Sequence, residues 1–187
     1  MIELLLPFFL LVLLFLVLTI ICRINARKYI SSGTVASAYD AWTQDKLLER
    51  LWGEHIHLGF YPPEEKNIDF REAKVRFVHE LVKWSGLDKL PKGSRILDVG
   101  CGIGGSSRIL AEYYGFNVTG ITISPAQVKR ARELTPHRLN CNFQVMDALD
   151  LKFEDGSFDA VWSVEAGAHM NDKTKFADEM LLSLIHI

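Results

Sequence analysis

The run Ile96-Leu97-Asp98-Val99-Gly100-Cys101-Gly102-Ile103-Gly104-Gly105-Ser106-Ser107 is an apolar strand that ends beside an acid and breaks into a glycine cluster opening a helix. This sequence predicts a strand–turn–helix unit of a Rossmann-like sheet, because glycine tolerates the tight turn and lets a ligand approach the main chain. Gly100, Gly102 and Gly105 also spell the G-x-G-x-x-G dinucleotide fingerprint, which requires an acid about 20 residues on for the ribose hydroxyls. Here the next apolar stretch, Phe116 to Ile121, leads into Thr122, so that acid is missing. A third stretch, Cys141 to Met146, delivers Asp147 followed by Ala148. An acid at that strand tip suits the exocyclic amine of an adenine, and Asp98 suits an ammonium group. The pattern favours S-adenosyl-L-methionine over a nicotinamide cofactor, with a capping role as the alternative for Asp147.

The chain of 187 residues has a formal net charge of −2 and no basic block, so no nucleic acid is expected as a partner. Cys22, Cys101 and Cys141 lack metal-ligand spacing, which predicts no metal and a reduced domain. From Ile2 to Cys22 the chain is apolar except for Glu3, Pro7 and Thr19. That is about 30 Å of helix, the thickness of a bilayer core. The acidic start, with Arg23, Arg27 and Lys28 after the apolar run, predicts a single-pass N-terminal anchor with everything beyond it cytoplasmic; a cleaved signal peptide is the alternative. The expected organisation is an anchor over 1–23, a linker over 24–34, a helical lid segment over 35–90, the ligand-binding domain over 91–181 and a tail over 182–187.

Within the lid segment, Val35 to Leu51 is expected to be one helix with Trp42, Leu47, Leu48 and Leu51 on its apolar side. Trp52-Gly53-Glu54-His55-Ile56-His57-Leu58-Gly59-Phe60-Tyr61-Pro62-Pro63 follows; if extended, it places His55 and His57 on one face. It reads either as an ordered loop covering the core, or as a lid in which Trp52, Phe60 and Tyr61 shape an apolar pocket and one histidine handles a proton. Asp69 to Leu87 has a helical apolar period that includes Phe70, Val78, Val82 and Trp84. A fourth strand, Ala160 to Val164, ends in Glu165-Ala166-Gly167-Ala168-His169-Met170. Glu165 and His169 are therefore catalytic candidates, with Glu165 equally suited to tying a loop to a neighbouring backbone. The β–α repetition predicts an α/β fold, a doubly wound parallel sheet with helices on both faces.

These residues carry a resemblance. From about Lys28 to Leu181 the chain resembles the cyanobacterial 2-methyl-6-phytyl-1,4-hydroquinone methyltransferase family, and more distantly γ-tocopherol, sterol and cyclopropane-fatty-acid methyltransferases. The resemblance rests on Val35 to Thr43, Trp52 to Tyr61, Leu97 to Arg108, Val118 to Pro125, and Trp162 to Gly167 with His169-Met170. It implies a class I S-adenosyl-L-methionine-dependent C-methyltransferase acting on a prenylated hydroquinone, working beside a membrane that holds the prenyl tail. It also implies that Gln127, with Thr122 or Ser124, contacts the ribose. The expected cofactor set is Asp98, Gly100, Gly102, Gly104, Thr122, Ser124, Gln127, Asp147, Ala148 and Ser163; the proton acceptor is His169, His57 or Glu165. A sterol, another lipid or a small amine is the alternative substrate. After Leu181 the chain departs from the family pattern, which predicts a C-terminally truncated chain ending in a non-native tail; a fragment that binds the cofactor without activity is a third reading.

Overall fold

The computed structural model describes residues 11–18, 32–65 and 67–184, and divides the chain into two units, 1–34 and 35–187. In the first, residues 11–18 form helix α1, with every side chain apolar and exposed. Among the described residues no helix is long and apolar enough to cross a membrane. Eight residues of helix rise only about 12 Å, and the remainder of the expected span, 1–10 and 19–23, lies outside the described residues. The expectation of a single-pass anchor with a cytoplasmic domain is corrected on that ground.

The second unit is built on four parallel strands, β1 (Arg95–Val99), β2 (Asn117–Thr122), β3 (Cys141–Val145) and β4 (Ala160–Trp162), in the order β3-β2-β1-β4. Alternate residues of buried parallel strands feed opposite faces. Ile96, Val118 and Trp162 pack with Val78 and Val82 of α4 (Phe70–Ser85) and Ile109 and Leu110 of α5 (Gly105–Tyr114). On that same face Val128 and Ala131 of α6 (Pro125–Leu134) cover Phe143. Leu97, Val99 and Ile121 face the other way, onto Ala148, Phe158 and Phe176 of α7 (Lys173–Leu182). The expected parallel sheet with helices on both faces is what forms.

The helices start and stop where local chemistry allows. Asp69 caps α4 by accepting from the amides of Arg71 and Glu72, and Gly86 ends it at φ 74. Ser124 caps α6 ahead of Pro125, and Asp172 caps α7. Three expectations fail here. The single helix over Val35–Leu51 is two, α2 (Ser32–Gln44) and α3 (Leu47–Trp52), because Lys46 takes a left-handed turn at φ 54. Trp42 and Leu51 then lie exposed instead of forming a buried side, and Trp84 points outward from α4 at 84% exposure. The fourth strand also stops at Trp162, two residues early, where the chain turns into the loop that carries Glu165.

Candidate functional site

In this strand order the chain reverses direction across the sheet between β1 and β4, and ligands of open α/β sheets bind at the carboxyl ends of the strands on either side of such a point. Three glycines shape the turn after β1: Gly100, Gly102 and Gly104 have φ of 78, 55 and 81. The amides of Gly100 and Cys101 both donate to the Ile121 carbonyl at 2.9 Å, folding the turn back over β2. A Cβ on Gly100 would lie 2.4 Å from the Ala166 side chain, so the loop after β4 crosses the turn there. At Gly102 a Cβ would meet nothing within 4 Å. The main chain at Gly102 is thus open to a ligand, as a cofactor held by this turn requires.

Asp98, at the β1 tip, is buried and accepts the Ser107 hydroxyl of α5 at 2.5 Å; burial pushes its carboxyl up to about 6, against the opposing pull of that hydrogen bond. At the end of β2, Thr122, Ser124 and Gln127 form one buried network. Thr122 Oγ1 donates to Gln127 Oε1 at 2.7 Å and accepts the Ser124 amide at 3.3 Å, while Ser124 Oγ accepts the Gln127 amide at 3.1 Å. After β3, Asp147 accepts the Leu149 amide at 2.9 Å, and Ala148 is buried in the core. Ser163 Oγ donates to the Val99 carbonyl at 3.0 Å, joining the ends of β4 and β1. The expected cofactor residues thus gather along one edge of the sheet, and their side-chain polar groups already hold protein partners.

Two segments reach over this edge. On α2, Asp40 accepts both the Ser124 hydroxyl at 2.5 Å and the Ala126 amide at 3.0 Å, putting a carboxylate at the positive N-terminus of α6. Its neighbour Tyr39 places its hydroxyl 2.9 Å from His169 Nε2, in the loop after β4, with the two rings edge to face. Burial raises the Tyr39 phenol above its ordinary pKa. Helix α2 therefore spans from β2 to β4 across the open turn.

The second segment is Gly53–Tyr61. Its histidines turn inward, buried, while Ile56, Leu58 and Phe60 face out, so the shared face for His55 and His57 forms as expected. His55 lies against α5: a Cβ on Gly105 would meet the His55 ring at 2.8 Å and the Glu54 carbonyl at 2.8 Å. Lys74 Nζ donates to the carbonyls of His55 and Trp52 at 2.8 and 3.1 Å, Arg108 pairs with Glu54 at 2.6 Å, and Glu165 Oε1 accepts the Leu58 amide at 2.9 Å. Burial lowers the basicity of both histidines, His55 to about 3, and that of Lys74.

Residues 96–184 match the methyltransferase domain family. The chain is 63% identical over 160 residues to 2-methyl-6-phytyl-1,4-hydroquinone methyltransferase of Synechocystis sp., covering 84% of this chain and 50% of the relative. The chain has the class I methyltransferase fold. It is also 45% identical over 145 residues to the chloroplastic tocopherol O-methyltransferase of Arabidopsis thaliana, covering 72% of the chain and 42% of that relative. The chain therefore spans half or less of the length of these two relatives. Among solved structures it superposes on the [4+2]-cyclase SpnF with a TM-score of 0.74 and 28% identity, covering 83% of this chain and 57% of that one. Phosphoethanolamine N-methyltransferase 2 of Haemonchus contortus, 25% identical with a TM-score of 0.60, has been solved with S-adenosyl-L-methionine and with S-adenosylhomocysteine. A cyclase on the same scaffold shows that chemistry is decided by the site.

Composition and motif do not single out Tyr39, Asp40, Glu54, Lys74 and Arg108. Tyr39 and Asp40 are neighbours on one helix whose bonds run to opposite sides of the crevice, which no local pattern displays. Lys74 and Arg108 carried a weak signal: a cation on the apolar face of an amphipathic helix asks for a buried partner.

Proposed function

We propose that the chain is an S-adenosyl-L-methionine-dependent C-methyltransferase acting on a prenylated hydroquinone. The observation that carries this reading is the 63% identity to the Synechocystis enzyme, whose aligned length of 160 residues exceeds the sheet domain and so draws in the lid elements α2 to α4. When bound, S-adenosyl-L-methionine supplies an electrophilic methyl group on a sulfonium. The turn at Gly102 would cradle it by main-chain contact, and Asp98, Asp147 and the Thr122–Gln127 network would take its polar groups.

His169 is the proton acceptor in this proposal. In the tautomer whose Nε2–H donates to the Tyr39 oxygen, Nδ1 is left as a lone pair on an exposed ring, able to take a hydroxyl proton from the hydroquinone. The phenolate so formed would make a ring carbon nucleophilic toward that methyl, the sulfonium–methyl bond breaking as the carbon–methyl bond forms; the proton on that carbon would pass to water and His169 would return its proton to the oxygen, restoring the aromatic hydroquinone. Tyr39, with a phenol kept protonated by burial, positions His169 without competing for the proton. The side chains of Ile56, Leu58, Phe60 and Tyr61 offer apolar surface beside this entrance for a prenyl tail.

The test is an acceptor panel with methyl-labelled S-adenosyl-L-methionine. Label in 2-methyl-6-phytyl-1,4-hydroquinone, in preference to a tocopherol or a small amine, is the expected result. Cofactor binding with no label in any quinol contradicts the assignment.

A further inference from the structure

His57 sits in a line of hydrogen bonds that runs one way. Its Nδ1 lies 2.8 Å from the Leu58 carbonyl, which can only accept, so Nδ1 carries a proton. Its Nε2 lies 3.1 Å from His55 Nδ1. In an uncharged His57 that Nε2 is a lone pair, so His55 must be the donor, and both rings are fixed in the Nδ1–H form. On the other side of the Leu58 Cα, its amide donates to Glu165 Oε1 at 2.9 Å. Glu165 holds a left-handed backbone, φ 57, and opens the 3-10 turn Ala166–His169 that presents His169 to Tyr39.

We propose that His57 is a positioning residue and not the proton acceptor of the site: the His55–His57 chain holds Leu58 so that its amide grips Glu165, and Glu165 sets the turn that carries His169. The role given to His169 rests on the proposed function; the chain of donors does not. His57 has no lone pair left to offer a substrate, since Nδ1–H is spent on a carbonyl and Nε2 on His55. Burial opposes a cation on His57 as well, against the pull of its bond to the Leu58 carbonyl. Lys74 from α4 and Arg108 from α5 face His55, Lys74 also faces His57, and Glu165 is the charge that favours protonation of His57. Glu54, in the same segment, is taken by Arg108. Gly105 admits the arrangement, since any side chain there would displace the His55 ring.

Nitrogen-15 NMR of histidine-labelled full-length chain reads the tautomers directly. Both rings are expected in the Nδ1–H form, His55 staying uncharged down to about 3 and His57 titrating below the ordinary histidine midpoint of about 6.5. An Nε2–H His57, or a His57 that titrates near its ordinary value, overturns the proposal. Exchange of the Leu58 amide gives an independent reading: His57→Phe, which removes the donor, should speed it by about 10-fold, whereas His57→Asn, which keeps a donor toward the carbonyl, should stay near wild type. Equal exchange in His57→Phe and wild type overturns it. In methyl transfer His57→Asn should retain activity within about 10-fold, where loss of a true base costs about 10² to 10⁴; a loss of that size with Leu58 still protected also overturns it. Should wild type itself transfer no methyl, the two NMR readings still decide the matter, and the failure belongs to the proposed substrate.

Discussion

At the scale of single residues, two positions set opposing expectations against each other. Gly105 lies in α5, where alanine is ordinarily the better helix former by about 1 kcal/mol. Its Cβ would sit 2.8 Å from the backbone oxygen of Glu54 and from the His55 ring, and main chain cannot swing aside as a side-chain tip can. Gly105→Ala is therefore expected to destabilise by about 1 to 3 kcal/mol, as overpacking does; urea unfolding measures it, and a stabilised variant would mean the lid segment does not pack there. The third glycine of the G-x-G-x-x-G pattern thus serves lid docking, a use invisible in the motif. Asp98 is the second case. Between 3.8 and about 6 the folded chain keeps a proton on its carboxyl that the unfolded chain releases, so this group makes stability fall as pH rises through that window. Asp98→Asn should remove that slope. Equal slopes in both proteins would place Asp98 in a wetter setting than its burial indicates.

At the scale of elements, the ties between the lid and the sheet matter more than propensity. Glu49 of α3 takes two bonds from Arg130 of α6, at 2.6 and 2.8 Å, and Asp40 of α2 takes two donors at the N-terminus of the same helix. Asp40→Ala is expected to cost about 1 to 2 kcal/mol and, by releasing α2, to lower methyl transfer well beyond that loss of fold, while Asp40→Asn, still an acceptor, retains most activity. Parallel losses in both variants would show that the charge at α6, and not the acceptor, holds α2. The elements themselves were largely legible. The strand–glycine–helix unit, the β2 and β3 tips and the α4 period are written in short-range pattern and form where expected, within a residue or two. The break at Lys46 was not legible, because nothing in Thr43-Gln44-Asp45-Lys46 signals a left-handed turn; the long-range grip of Arg130 on Glu49 accompanies it. Trp42, Leu51 and Trp84 misled for the converse reason: periodicity says which residues share a side, not whether anything covers it.

At the scale of the whole molecule, sequence pattern located the edge of the sheet where a ligand belongs but not the closure over it. That closure joins residues far apart in sequence, Tyr39 to His169, Glu54 to Arg108 and Leu58 to Glu165, and such pairs have no local signature. The N-terminal apolar run marks the opposite limit, a strong compositional signal for a bilayer span to which the described helix, 11–18, does not correspond in length. What unites the domain is the open turn at Gly102, where the methyl donor binds in the proposed function. Calorimetric titration of S-adenosyl-L-methionine into wild type and Gly102→Ala tests this most directly. The added methyl meets no protein atom within 4 Å, so its effect on folding is limited to backbone strain of about 1 kcal/mol at a positive φ. Affinity is expected to fall at least about 10-fold in a variant that stays folded. Equal affinity in the two proteins would contradict it, and would move the methyl donor away from the glycine turn.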